Sequence, residues 1–311
     1  MNARFILVKV GRALLTMWLV VTFAFVILRA TGDPVETMLG DQADPAVVEH
    51  YRQLYGLDRP LYEQYFRYFV GIARGDLGVS IADDRPVVAV IAEALPATMQ
   101  LALVALAVAV LIGVPLGIVA ALNRNKTIDR AVMTFAVFGF SIPNFFLGIL
   151  LILVFSMWLR VLPSSGIGTG WHVIMPAITL GAAISGSLAR FTRSSMLEVL
   201  DKHYMRTAAA KGVPRRRRVV LHALPNAAIP LLTVLGFRLG DLVAGAIVTE
   251  TVFAWPGVGR LLVSSVTRRD LAVVQGVLIW ASFTMVLANL AVDLLYGWID
   301  PRVRAVAKAK A

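Results

Sequence analysis

Apolar residues in this chain cluster into long runs separated by short polar stretches, many of them rich in Arg and Lys. About 20 apolar residues form a helix long enough to cross a bilayer. Six runs approach or exceed that length: Val10 to Leu28, about Met99 to Leu122, about Ala131 to Trp158, about Val173 to Ala189, about Ala227 to Thr249 and about Leu271 to Tyr296. The pattern predicts an all-α polytopic membrane protein with six transmembrane helices and both ends on one side. The first run has an uncharged core of only 16 residues, Ala13 to Leu28, so Arg12 and Arg29 must reach toward the headgroups. Arg4, Lys9 and Arg12 before an apolar run also resemble a secretory signal, but no small-residue cleavage pattern follows before Arg29, which predicts a retained helix.

Between the first two runs, Gly32 to Pro96 follows another pattern. Asp44 and Pro45 supply a cap and a first-turn proline for a helix ending near Gly56, and Pro60 opens a second, Leu61 to Ala73, closed by Gly75. Tyr51, Tyr55, Tyr62, Tyr65, Phe66, Tyr68 and Phe69 recur at helical spacings, predicting amphipathic helices at the interface or a small external cap over the spans. Those rings either pack among themselves or form a docking surface for an external partner. The expected organisation is 1–31, N-terminus and span one; 32–98, external helical segment; 99–297, core with spans two to six, including a loop at 190–226; and 298–311, tail.

Composition agrees with a membrane class: 58% of the 311 residues are hydrophobic, 16% are charged, and the mean hydropathy is +0.76. The absence of Cys removes disulfides, thiolate catalysis and cysteine metal sites, and no metal site is expected. Charge adds direction, because positive loops stay in the cytoplasm. With both termini inside, the inside segments hold 19 of the 30 Lys and Arg: 3 up to Arg12 at the start of span one, 3 in Arg124 to Arg130, 9 in Arg190 to Arg218 and 4 from Arg302 to Lys310. The outside segments hold 10, and Gly32 to Pro96 carries 11 acids against 5 arginines. The net charge of +11 therefore reads as topology; without interleaved aromatics it does not indicate a nucleic-acid partner. The expected location is the bacterial cytoplasmic (inner) membrane.

The basic loop after the fourth run has structure of its own. Ser194 to Lys211 favours a helix broken at Gly212-Val213-Pro214, and Val219 to Leu224 resumes it before Pro225. Such a helix-turn-helix knob fits a groove on a soluble partner and can pass that partner's rigid-body motion into the spans; nine basic residues can equally act only as a topology determinant.

Polar residues inside the runs mark candidate pathway positions. Arg238 and Asp241 lie three apart on one face of span five, where charge normally pairs or faces water: they form either a stabilising ion pair or a pathway lining offering both signs of charge to a zwitterion. Gly236, Gly240, Ala244 and Gly245 nearby favour close helix approach. Glu250 ends this span, Trp255, Pro256, Gly257 and Gly259 are candidates for an external re-entrant turn, and Asp293 in span six is open to the same two readings. Pro115, between Gly113 and Gly117, and Pro143 should kink or loosen their helices, as hinges or as static features.

The spacing Ala208, Gly212, nine residues, then His222-Ala223-Leu224-Pro225 resembles the loop motif of ABC importer permeases, Glu-Ala-Ala, three residues, Gly, nine residues, Ile-x-Leu-Pro. The departures at Arg206, Thr207 and His222 resemble the peptide/nickel branch. Further matches run along nearly the whole chain: Tyr55-Gly56-Leu57-Asp58-Arg59-Pro60, Gly75-Asp76-Leu77-Gly78, Pro96-Ala97-Thr98, Ser141-Ile142-Pro143, Glu250-Thr251-Val252-Phe253, Trp255-Pro256-Gly257-Val258-Gly259 and Asp300-Pro301-Arg302. The chain resembles the first of two permease subunits of a dipeptide or oligopeptide importer. That resemblance implies the type I ABC importer permease fold, a second homologous permease subunit, two ATPase subunits, an external solute-binding protein and a peptide substrate. It assigns ATPase coupling to Arg206, Thr207, Ala208, Lys211, Gly212, His222, Leu224 and Pro225. The chain lacks a Gly-x-x-x-x-Gly-Lys-Ser/Thr loop, so no catalytic residue or cofactor is assigned to it, and ATP and Mg are expected in the partner subunits.

Other classes fit less well. A secondary transporter commonly shows an internal repeat, and none is evident between the halves. An intramembrane serine protease needs Ser and His at bilayer depth, but the four His fall in loops or near span ends. A passive channel calls for a repeated pore segment or a symmetric charge ring. Within the importer reading, glutathione and nickel are the alternatives to peptides; His172 and His222 are poorly placed for a nickel path.

Overall fold

The computed structural model describes residues 3–30, 35–36, 44–54, 56–80 and 82–299, and within these the side chains of 3–6, 28–30, 54, 229, 232–234, 236–245, 289 and 291–299 lie outside the description. The helices are α1 (Ala3–Ala30), α2 (Pro45–Leu54), α3 (Leu61–Ala73), α4 (Val87–Leu122), α5 (Thr127–Ser141), α6 (Asn144–Leu151), α7 (Ile174–Leu200), α8 (His203–Ala210), α9 (Arg215–Arg217), α10 (Leu224–Val252), α11 (Val258–Thr267) and α12 (Leu271–Ile299), with π-helical turns at Ile152–Trp158 and Arg218–Ala223. Among the described residues four helices are long and apolar enough to cross a membrane: Leu7–Ile27 within α1, α4, α7 and Leu271–Ala288 within α12. The bent pair Thr127–Ser141 and Asn144–Trp158 makes a fifth if it is one span. The expected fifth run falls in α10, a helix of 29 residues.

Several element boundaries differ from the sequence expectation. Helix α4 starts at Val87 rather than near Met99 because Val87 and Ile91 are buried against Val258, Val273 and Val277, so tertiary packing extends it backward. It continues unbroken through Pro96 and Pro115. The third run, expected as one span, is broken: its two halves differ in direction by 101°. Pro143 disfavours the helical conformation at Ile142, which takes φ −76° and ψ 124°, so the proline ends one helix and opens the next instead of merely kinking it. Helix α7 absorbs Ser194 to Leu200, which the sequence placed in the loop, and α10 continues through Pro225.

The chain divides into two compact units, one formed by Ala3–Thr98 with Pro256–Leu287, the other built around Met99–Trp255. In the first, the two helices expected between the first two runs form, as α2 and α3. Ala46 N–H donates to Asp44 Oδ1 at 2.9 Å to cap α2. The inner face of α3 packs on α1: the Tyr65 ring lies 5.3 Å from Phe25, and its hydroxyl is 2.8 Å from Thr22 Oγ1. Tyr62 and Phe66 on the other face are exposed, and Tyr55 lies outside the described residues. Two of the matched motifs, far apart in sequence, meet here: Val258 N–H donates to the buried Thr98 hydroxyl at 2.8 Å, satisfying an orphan donor in the first turn of α11. Buried Asp270 caps α12, accepting from Val273 N–H at 3.2 Å and from Ser80 Oγ at 2.5 Å.

In the second unit α7 packs between α4 and α5. A Cβ on Gly113 would lie 2.6 Å from the Ser185 carbonyl, and one on Gly117 would lie 2.5 Å from that of Ala189. These glycines, read from sequence only as neighbours of Pro115, let two backbones touch. On the other side Gly186 meets the Ala136 carbonyl so closely that a Cβ cannot fit, and Gly139 lies against Ala182. The pairs on α4 and α7 advance together along the sequence, so those helices run parallel; those on α5 and α7 advance oppositely.

Candidate functional site

The basic loop folds into a knob whose inner and outer faces differ in chemistry. Helix α7 ends at Leu200, and the chain turns at Asp201-Lys202, where Asp201 N–H reaches Leu197 O at 3.2 Å and Lys202 N–H reaches Val199 O at 3.1 Å. This turn has neither Gly nor Pro, and the sequence reading missed it. Helix α8 follows, and Gly212 terminates it as predicted. Gly212 adopts φ +76°, its N–H donating to Ala209 O at 3.0 Å and Val213 N–H donating to Ala208 O at 3.1 Å. This is the Schellman arrangement, in which an unbranched residue in the left-handed region satisfies the last carbonyls.

After Pro214 and the single turn of α9, the chain widens to a π-helical turn over Arg218–Ala223 and runs directly into α10. Pro225 has no N–H and would crowd the carbonyl of Leu221 in a regular helix; the wider turn lies where that strain would fall. The sequence reading ended the segment at Pro225, but the local widening lets the helix continue.

The knob is fastened by buried apolar side chains. Met196 and Val199 from α7, Met205 from α8, Val219 and Ala223 from the π turn, Ala227 from α10 and Ala121 from α4 form one cluster, with Ile118, Leu122, Leu197, Leu200 and Leu224 packed around it. Met196 and Ala223 are fully buried, and Met205 is 4% exposed. Each large side chain buried this way contributes about 1.5–3 kcal/mol, and the cluster seats α8 against the ends of α4, α7 and α10. Arg215 Nη2 donates to the Leu122 carbonyl at 3.0 Å, placing a cation at the C-terminus of α4.

The coupling candidates occupy two parts of this knob. Arg206, Thr207, Lys211 and Gly212 are exposed on α8 and its closing turn, and Ala208 is half-buried between them. His222, Leu224 and Pro225 lie on the π turn and the start of α10: His222 and Pro225 are exposed, and Leu224 backs the cluster. Tyr204 adds an exposed ring that the sequence reading did not select. A Cβ on Gly212 would meet nothing within 4 Å, so what requires glycine within this chain is the backbone turn.

An ion pair beside the knob was also missed. Arg193 on α7 grips Asp129 on α5 through Nε to Oδ1 at 2.6 Å and Nη2 to Oδ2 at 2.7 Å, with Asn125 N–H donating to Oδ2 at 2.9 Å. The Asp129 side chain is 4% exposed. Its sequence signal was a single acid among the basic residues of Arg124 to Arg130, but the partner lies 64 positions away.

The pathway candidates are less fully described. Arg238, Asp241 and Asp293 lie on α10 and α12, but their side chains lie outside the described residues. Glu250 is fully buried near the end of α10, and its carbonyl accepts Trp255 N–H at 2.8 Å. Trp255 is itself buried, Ala254 before it has φ +47°, and Gly257 caps α11. Trp255 to Gly259 therefore form a tight connection from α10 into α11. Among the described residues no group of three or more His, Asp or Glu is placed to hold a metal.

A solute-transport family matches both parts of this architecture. Residues 113–305 match the binding-protein-dependent transport system inner membrane component family, and residues 2–102 match the N-terminal part of such membrane components. The chain belongs to this family and is a multi-pass permease component. Its relatives include the probable D,D-dipeptide transport system permease protein of Escherichia coli K12, 44% identical over 88% of each chain. The glutathione transport system permease protein of the same strain is 45% identical over 93% of this chain and 95% of its own. In three dimensions it resembles a chain of the inward-facing methionine ABC transporter, with a TM-score of 0.57, 19% identity, and coverage of 68% of this chain and 96% of that one. The shared architecture is an ABC importer permease fold.

Proposed function

We propose that this chain is one of two homologous transmembrane subunits of an ATP-driven importer of di- or oligopeptides, with the Asp201–Pro225 knob as the seat of its ATPase. In this reading two ATPase subunits bind ATP and Mg and carry out hydrolysis, an external solute-binding protein delivers the substrate, and this chain contributes no catalytic group. Both termini and the knob lie in the cytoplasm, in keeping with the excess of Lys and Arg in those segments. The observation that carries the proposal is the two-faced knob, with an apolar underside fixed to the helix ends and an upper face on which Arg206, Thr207, Lys211 and Gly212 are left exposed. A rigid body of this kind transmits displacement when an ATPase pair closes beneath it.

The peptide assignment is supported by the D,D-dipeptide relative. The glutathione relatives, equally similar, favour a second reading within the same class: a tripeptide with a modified linkage. Arg238, Asp241, Glu250 and Asp293 are the candidate pathway residues, and Trp255, Pro256, Gly257 and Gly259 the candidate external turn. The test is Gly212→Val beside Gly212→Asn in the full complex. Asn tolerates the left-handed region whereas a β-branched residue does not, so Asn should keep ATP-driven uptake and Val should hydrolyse ATP with uptake strongly reduced. Normal uptake by Gly212→Val would remove the coupling role from this turn.

A further inference from the structure

The ion pair between Asp129 and Arg193 lies beside the knob, and its surroundings define what it can do. It closes one end of the antiparallel α5–α7 interface, where, besides the Arg190 guanidinium 5.9 Å from the centre of the Phe140 ring, Gly186 meets the Ala136 carbonyl and Gly139 lies against Ala182, helix backbone to helix backbone. Such small-residue contacts fix the distance between two helices but resist sliding along their axes weakly. A bidentate guanidinium–carboxylate pair opposes sliding because its two parallel hydrogen bonds hold direction as well as distance. The Asn125 N–H fixes the carboxylate from its other side, in a turn where Asn125 takes φ +64°. Arg193 also precedes Met196 and Val199 on the same helix, and both of these are buried in the knob's cluster. Force entering through α8 therefore reaches α7 within two turns of the ion pair.

We infer that Asp129 and Arg193 form a strut that makes α5 move with α7, so that a displacement of the knob reaches the broken helix pair Thr127–Trp158. They are positioning residues for coupling. The functional part of this inference rests on the proposed seat for an ATPase; the mechanical part, a single α5–α7 body, does not. Removing only one partner strands a buried charge and risks unfolding, so the main variant is Asp129→Leu with Arg193→Met, which removes both charges and keeps apolar volume. The reciprocal swap, Asp129→Arg with Arg193→Asp, tests rescue.

The absence of native Cys allows clean spin labelling. Ala131→Cys on α5 and Ile178→Cys on α7 are both exposed and are offset by about 20 Å along the interface at roughly 1.5 Å per residue. In the purified complex, electron–electron double resonance should give one narrow distance for the native pair, a broadened distribution for the Leu/Met variant, and a narrow distance again for the swap. With labelled alanyl-alanine and glutathione as probes, the Leu/Met variant should assemble and hydrolyse ATP while uptake per ATP falls about tenfold, within the usual range of coupling free energies. The same narrow distance in the Leu/Met variant would overturn the strut. A broadened distance with unchanged uptake per ATP would overturn its role in coupling. A native complex that takes up neither probe would count against the proposed function, while the distance measurement would still decide the strut.

Discussion

At the scale of single residues, the most demanding positions are glycines, for two different reasons. Gly212 is needed for its backbone angle, with open space around it, whereas Gly113, Gly117 and Gly186 sit in ordinary helix and are needed because another backbone occupies the site of a side chain. Gly186→Ala should therefore destabilise the folded complex by about 1–3 kcal/mol, the usual cost of overpacking, read as a lower midpoint in thermal unfolding in detergent. An unchanged midpoint would mean that the helices separate freely there. Gly212 could be picked out from its motif and the following Val-Pro, since turn chemistry is local. Gly117 could not, because its significance depends on Ala189 and Thr192, some seventy positions on in sequence. The same holds for Asp129, which counts as one charge in a basic loop until Arg193 is brought alongside it.

At the scale of elements, boundaries were legible where the chain carries its own punctuation. Helix α3 spans Leu61–Ala73 as expected because Pro60 opens it and Gly75, at φ +79°, follows its close. The turn at Asp201-Lys202 has no such signal, and α7 extends to it because Met196 and Val199 gain a buried partner in Met205. That dependence gives a prediction: Met205→Ala should loosen α8 from its seat at a cost of about 2–5 kcal/mol, seen as faster backbone hydrogen exchange in His203–Ala210 and less ATPase recovered with the complex. Exchange confined to native rates would show that α8 is held by something other than this cluster. The start of α11 offers a second case. Thr98→Val keeps shape but removes the acceptor for Val258 N–H, and the stranded buried donor should cost about 1–3 kcal/mol, again read as a lower unfolding midpoint. Pro143 was legible as a point of weakness, but the size of the break, 101°, depends on packing that the sequence alone does not display.

At the scale of the whole molecule, the apolar runs and the charge bias disclosed a polytopic membrane protein, and the loop motif by itself pointed to the importer permeases. Family membership and an ABC importer permease fold bear that out. Fold class was legible because the bilayer leaves few solutions for twenty-residue apolar segments. The pathway was not, because which polar side chains face a solute depends on helix rotation and on the proposed second subunit. The central claim is that a polar knob on a buried apolar base converts ATPase closure into solute movement. Its most direct measurement is uptake of labelled alanyl-alanine by vesicles holding the native complex with its binding protein, with ATP inside or outside the compartment that the knob faces. The account predicts uptake only when ATP is on the knob's side, and loss of that uptake in Gly212→Val with hydrolysis retained. Uptake that proceeds without ATP, or a purified chain that recovers no ATPase, would contradict it.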